Sequence, residues 1–353
     1  MTSIKSEILI DANILRKNIK TIKNKLQKKS KFMAVIKSDA YGHNLLNIVK
    51  DIDDLVDGYG VVRIEEALEI RKESIKKVLL MQGIYSKEEY ILAKNQKLDL
   101  VVHNNNQFSF IKGEENHEMF WYKVNTGMNR LGFEIPDFIK IYEKYLKQKQ
   151  FTLMSHLASS NDKDNPANES QFKSFNDLSN KLNKNILKSI ANTGCIMNFP
   201  EFSMDWVRCG IGIYGGYLKD DQLKTAMTLR SPIINIRSIK KGDKVGYDGR
   251  AVAKNDMKIA SVYLGYADGL PVTIKDGTSV MVNDQIAKVF GKVSMDLSTI
   301  DVTNILDCRI GDWCEFFSSK LPISNISKSN DLITYYFMTN IKSRVKKVYK
   351  SID

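Results

Sequence analysis

The sequence predicts an α/β fold: an N-terminal (β/α)8 TIM-like barrel followed by a C-terminal mostly-β domain. Three observations lead there. Short apolar runs alternate with helical patterns across the first two-thirds of the 353 residues. No G-x-G-x-x-G follows the first of those runs, which disfavours an open dinucleotide-binding sheet. After about residue 222 the rhythm changes to closely spaced apolar runs divided by glycine turns.

In chain order, the N-terminus M-T-S-I-K-S-E-I lacks an apolar core of the kind a signal peptide needs. An opening helix is expected over about 11–28. Strands are expected at 32–37 (F-M-A-V-I-K), 57–62, 77–82, 98–102, 119–125, 151–157, 186–191 and 205–209. Amphipathic stretches lie between them at about 43–52, 64–74, 87–95, 105–111, 136–147 and 168–183, with a short segment near 194–199. In 64–74, Ile64, Ala67, Leu68 and Ile70 share one helical face with charges opposite. Eight buried strands joined by crossovers fit a parallel barrel. Beyond residue 222, apolar runs recur at 232–238, 258–264, 278–282, 286–293, 298–303 and 313–317. The turn signals K-K-G-D, Y-D-G, A-D-G and I-G-D separate them, which reads as a compact β domain. Gly215, Gly216 and the K-D-D-Q-L-K segment form the linker, giving domains 1–221 and 222–353.

Composition narrows the function classes. A hydrophobic fraction of 43% supports a full core. Lysine and arginine number 53 against 41 acids, a net charge of +12, yet the basic residues are scattered. The densest runs, Lys23 to Lys31 and Lys342 to Lys350, hold Tyr349 as their only aromatic and so lack an interleaved stacking platform, and no nucleic-acid partner is expected. Cys195, Cys209, Cys308 and Cys314 form no C-x-x-C pair and read as reduced thiols of a cytoplasmic protein. No apolar run is long enough to span a bilayer. No His, Cys or carboxylate group has metal-ligand spacing, and no metal is expected.

Active residues of a barrel gather at the C-terminal ends of its strands. Lys37 ends the first strand. Lys123 ends the fifth and leads into a loop carrying Arg130. His156 lies on the sixth. The seventh ends in Asn192-Thr193-Gly194, and the eighth delivers Arg208 and then G-I-G-I-Y-G. Taken alone, Lys37 reads as a solvated strand end, each arginine as an ion-pair partner and His156 as a core histidine. Together they form a constellation. A partly neutral lysine at a strand end can bond covalently to an aldehyde. A glycine-rich rim can cradle a phosphate. The two features point to pyridoxal phosphate.

At this point the chain resembles the alanine racemases. The lysine motif stands as A-V-I-K-S-D-A-Y-G-H-N, and K-V-N-T-G-M-N-R-L-G, R-C-G-I-G-I-Y-G, G-Y-A-D-G (265–269) and G-K-V-S-M-D (291–296) follow in the family's order. The resemblance implies a homodimer with shared active sites that racemises alanine for peptidoglycan. In that reading Lys37 holds pyridoxal phosphate and acts as one base, and Tyr266 from the partner subunit is the other. Arg208 faces the pyridine nitrogen. Tyr41, Thr193, Gly210, Ile211 and Tyr335 bind the phosphate. Arg130 meets the cofactor's phenolate side and the substrate carboxylate, which also reaches the backbone at Met295. Lys123, at a position carbamylated in some relatives, braces the arginine, and Asp296 supports the site. His156 links Arg208 to Tyr266.

Some positions depart from the family pattern. Ser38 and Asn44 replace small residues, Asn125 replaces an aspartate, and Thr193 replaces a serine while keeping the hydroxyl. After G-Y-A-D-G stands L-P-V-T, where the family carries an aromatic and an arginine. These changes leave a broad-specificity or serine-type racemase as an alternative. A non-catalytic pyridoxal phosphate-binding protein is a third reading, disfavoured by Tyr266 and the second domain. A decarboxylase is disfavoured by Arg208 and by the lack of its cysteine motif.

Overall fold

The computed structural model describes residues 5–27, 29–114, 117–218 and 222–352. Packing separates the chain into two units. One comprises Ile19–Ala40 and Asn44–Ile213; the other comprises Met1–Asn18, Tyr41–His43 and Tyr214–Asp353. The boundary expected between 221 and 222 falls at residues 219–221, which lie outside the described residues.

The chain opens with β1 (Glu7–Asp11) and the helix Ala12–Lys23. Eight strands follow: β2 (Lys31–Val35), β3 (Gly58–Val61), β4 (Lys77–Leu80), β5 (Asp99–Val102), β6 (Phe120–Lys123), β7 (Thr152–Met154), β8 (Leu187–Ser189) and β9 (Trp206–Cys209). They pair in parallel in the order β8-β7-β6-β5-β4-β3-β2-β9. The outer pair is drawn together by the Arg208 N–H donating to Ala191 O at 2.9 Å. The Ser189 hydroxyl also donates to Trp206 O at 2.8 Å. The result is a nearly closed TIM-like barrel. Helices Ile64–Glu73, Lys87–Asn95, Asn105–Ile111 and Ala167–Ser179 occupy crossovers where the periodicity predicts them. Met33, Leu79, Val101, Trp121, Met154 and Trp206 pack inside as a core layer. Trp121 and Trp206 meet at 5.7 Å between ring centroids. Filling the barrel makes it a rigid base and leaves its rim for a site.

The second unit is built on β10 (Met227–Ile239), followed by the short hairpin β11 (Lys244–Val245) and β12 (Ala251–Val252). Then come β13 (Met257–Val262), β14 (Ser279–Val282), β15 (Gln285–Val289), β16 (Ser298–Asp301), β17 (Trp313–Phe317) and β18 (Lys346–Lys350). The order β13-β16-β15-β14-β17-β10 returns on itself because β10 also pairs with β13. That closes a six-stranded antiparallel barrel and removes its free edges. Beyond β10, β1 adds antiparallel with Glu7 opposite Arg230, and β18 adds parallel to β1. The sequence reading predicts neither β1 nor β18. Both are five residues long, and β18, K-K-V-Y-K, reads locally as a basic run. Their partners are hundreds of residues away along the chain, and only tertiary pairing selects the extended form.

Candidate active site

Beyond β2 the chain makes a left-handed turn. Ser38, Asp39, Ala40 and Tyr41 all have φ between 51° and 56°. Such a conformation costs L-residues roughly 1–2 kcal/mol each, so it persists only where the surroundings enforce it. The Asp39 carboxylate accepts the Leu45 N–H at 2.8 Å. The Ala40 N–H returns to Ile36 O at 2.9 Å. Gly42 completes the turn at φ 80°, where a Cβ would stand 2.4 Å from Met338 O. The turn fixes Lys37 immediately after the strand. Burial, and then the positive charge of Arg130, lowers the Lys37 pKa, against an opposing pull from Glu66. Burial and Arg130 both favour the neutral amine, the form that covalent chemistry needs.

Lys37 sits among cations. Burial, then Arg208, Arg130 and Lys37, pulls the Lys123 amine down to about 8. Burial and the same cations, led by Arg208, hold His156 well below its usual range. Arg208 is 2% exposed. Its Nη2 donates to Ser155 O at 2.6 Å and approaches Ile190 O and His156 Nδ1. Its Nη1 donates to the Ser189 hydroxyl. Its Nε is buried and has no hydrogen-bond partner among the described residues. A buried unpaired donor is costly unless something else accepts from it. Ser155 and Ser189 had no sequence signal beyond their places in the strand-end segments, and they are what hold the guanidinium.

The departure at Asn125 has a structural reason. Its amide donates to Asn129 Oδ1 and Glu134 Oε1 at 2.8 and 2.9 Å, and its own oxygen accepts from the Gly127 and Asn129 N–H groups. An aspartate could not donate to Glu134. Asn125 therefore shapes the loop carrying exposed Arg130.

Thr193 follows the cap residue Asn192, whose side chain accepts the Cys195 N–H at 3.0 Å. The Thr193 hydroxyl accepts from the Gly210 and Gly212 N–H groups at 3.2 and 3.4 Å. A Cβ on Gly212 would press to 2.8 Å of the Thr193 methyl. Glycine is thus required for this close approach. Gly210 and Ile211 are buried in the same turn.

The other unit holds Tyr41, Tyr266, Met295, Asp296 and Tyr335. Tyr41 packs on Tyr214 at 4.7 Å and on Tyr335 at 5.7 Å between ring centroids. Tyr336 instead lines a cavity of about 680 Å³ with Tyr266, Leu270, Val272, Lys292 and Met295. This separates the two adjacent tyrosines: Tyr335 is the one beside Tyr41. Tyr266 begins a single 3-10 turn, Tyr266–Asp268, and is 41% exposed. Its N–H donates to Ser294 O, and the Ala267 N–H donates to Met295 O. His43 is fully buried, with its ring 4.6 Å from that of Tyr214. Among the described residues no group of three His, Cys, Asp or Glu side chains is placed to hold a metal ion.

The residues present fit pyridoxal phosphate. Lys37 offers a desolvated amine, and the open Nε of Arg208 offers a donor for a ring nitrogen. Thr193 with its glycine neighbours offers a tight hydroxyl-and-backbone cradle.

Comparisons with known proteins agree along the whole chain. Residues 10–218 match the family profile described as alanine racemase, N-terminal domain, and residues 226–349 match alanine racemase, C-terminal domain. The chain is 35% identical to the alanine racemase of Alteromonas mediterranea, over 99% of each chain. The biosynthetic alanine racemase of Pseudomonas aeruginosa superposes with a TM-score of 0.92 at 30% identity, covering 99% of this chain and 100% of that one. The Bartonella henselae alanine racemase, solved with covalently bound pyridoxal phosphate, superposes with a TM-score of 0.86 at 26% identity, covering 99% and 100%.

Proposed function

The chain belongs to the alanine racemase family, and on that premise we propose which of its residues carry the interconversion of L-alanine and D-alanine. The enzyme is an isomerase that depends on pyridoxal phosphate. When bound, the cofactor acidifies the α-proton of the amino acid by drawing electron density into its ring. The observation that carries the assignment of roles is the desolvated Lys37 on the same barrel as a buried Arg208 whose Nε is open.

Racemisation takes a proton from one face of the α-carbon and returns one on the other, so it needs two acid–base groups. Lys37 anchors the cofactor and moves the proton on its own face. Tyr266 of the partner subunit serves the opposite face. Arg208 offers only donors and stays charged, so it leaves the ring nitrogen unprotonated and disfavours transamination. Tyr41, Thr193, Gly210, Ile211 and Tyr335 hold the phosphate. Arg130 and the Met295 backbone orient the substrate carboxylate, Lys123 braces Arg130, and Asp296 supports the Met295 loop. His156 connects Arg208 to the partner subunit's Tyr266. The active form is a homodimer, with residues 1–221 binding the cofactor and residues 222–353 completing the partner's site. Its four unpaired cysteines suit a cytoplasmic enzyme, and its D-alanine feeds peptidoglycan.

A broader substrate range is the second reading. The cavity beside Tyr266 is lined by Leu270, Pro271 and Val272. Rates on L-alanine, L-serine and L-lysine separate the two.

The first test is L-alanine with purified protein and pyridoxal phosphate in D2O, read by NMR and chiral analysis beside Lys37→Ala. Loss of the α-proton signal with appearance of D-alanine, both absent in the variant, is the expected result. Untouched L-alanine would sink the substrate assignment.

A further inference from the structure

The turn that carries Tyr266 is held by a carboxylate. Asp268 is 5% exposed and accepts the Gly265 N–H at 2.8 Å. Its other oxygen meets Arg344 Nε at 2.9 Å. Arg344 also reaches a second loop: its Nη2 lies 2.7 Å from Asp296 Oδ1, next to Met295. The segment before Arg344 is bound to the same turn. The Lys342 N–H donates to Asp268 O at 2.9 Å, and the Asn340 amide donates to Gly269 O at 3.0 Å. Gly269, at φ 111°, has no room for a side chain, because a Cβ would stand 2.4 Å from Asn340 O. Gly265 is equally closed in, with a Cβ position 2.3 Å from Met295 O.

We propose that Arg344 is a positioning residue for the proton-transferring Tyr266 and for the Met295 backbone, clamping the 265–269 and 294–296 loops together through Asp268 and Asp296. The inference rests on the reading of Tyr266 as the second base. The two carboxylates belong to separate loops and would repel each other without a shared cation. A guanidinium can serve both through different N–H groups, which an ammonium does less well. Burial raises the Asp268 pKa, and the Gly265 N–H and then the Arg344 charge oppose that rise. Exposed ion pairs usually contribute little, and Arg344 is itself 45% exposed. The effect is therefore expected in geometry, and so in rate, more than in stability.

The test compares Arg344→Gln, Arg344→Lys, Tyr266→Phe and the Arg344→Gln/Tyr266→Phe double variant as holoenzymes, with circular dichroism as the check on folding. Rates are measured in both directions with α-protiated and α-deuterated alanine. Arg344→Gln is expected to lower kcat by roughly ten- to a hundredfold, as small misplacements of reacting groups do, with KM changed less. The deuterium effect should rise in the direction whose proton Tyr266 removes and fall in the other. Arg344→Lys should recover part of the rate, and Arg344→Gln should cost little more once Tyr266 is gone. A folded Arg344→Gln enzyme with parental kcat and isotope effects, beside an inactive Tyr266→Phe, would overturn the clamp and spare the base assignment. A Tyr266→Phe enzyme as active as the parent would overturn both. If Arg344→Gln does not fold, a folded Arg344→Lys showing no change in the isotope-effect ratio between the two directions would overturn the clamp.

Discussion

His156 Nδ1 lies 3.4 Å from Nη2 of Arg208. The guanidinium can only donate, so Nδ1 accepts and the neutral ring carries its proton on Nε2. Burial and the surrounding cations, Arg208 first, keep that ring neutral. The folded pKa lies well below the ordinary 6.5, so at low pH the unfolded chain binds the extra proton. Stability contributed by neutral His156 is therefore full above about pH 6.5–7 and is lost as pH falls toward the folded value. Thermal midpoints measured from pH 8 to 5 should fall more steeply for the parent than for His156→Gln. Parallel curves would show that His156 is not held neutral by the fold.

The Thr193 hydroxyl is the shared acceptor for Gly210 and Gly212. Thr193→Val keeps the shape and removes the oxygen. Pyridoxal phosphate should dissociate on the order of tenfold more readily, the value of one hydrogen bond to a charged group. Thr193→Ser should bind as the parent does. Equal dissociation constants for all three proteins would remove Thr193 from the cradle.

Burial and the neighbouring cations, Arg208 first, pull the Lys123 amine down to about 8, so its neutral fraction grows as pH rises through the range from 7 to 9. Four cations, Lys37, Lys123, Arg130 and Arg208, act on one another at this rim. A neutral amine that adds CO2 releases a proton and becomes a carbamate, turning one of these cations into an anion. With 13C-bicarbonate, the protein should give a carbamate NMR signal that strengthens from pH 7 to 9. No such signal, or one that persists in Lys123→Ala, would contradict the assignment.

If Tyr266 acts across a dimer, inactive Lys37→Ala and Tyr266→Phe chains should complement. A mixed dimer would have one of its two sites intact. Activity should appear once the subunits exchange, up to about a quarter of the parental rate for random pairing. No recovery despite demonstrated exchange would show that the site is not shared.

The barrel was legible because parallel strands are buried on both faces and read as plain apolar runs. The runs at 98–102 and 205–209 became Asp99–Val102 and Trp206–Cys209. The observed strands are shorter, and His156 stands two residues beyond β7. The left-handed turn at Ser38–Tyr41 gave no sequence signal beyond polarity, because non-glycine residues take that form only under tertiary constraint. Helices Ile323–Ser329 and Thr334–Thr339 were also unforeseen, their patterns being too short for a periodic signal.

The sequence by itself determined the succession of the eight barrel strands and the family, and it singled out the candidate reacting side chains, because apolar rhythm and ordered motifs are local properties of the chain. Tertiary structure alone decided that β1 joins β10 and β18 and that Arg208 keeps Nε open while its other nitrogens are engaged. It also decided that Arg344 bridges Asp268 and Asp296. Each of these depends on groups distant in sequence being buried side by side, where unpaired charges and hydrogen-bonding groups are costly enough to select one arrangement.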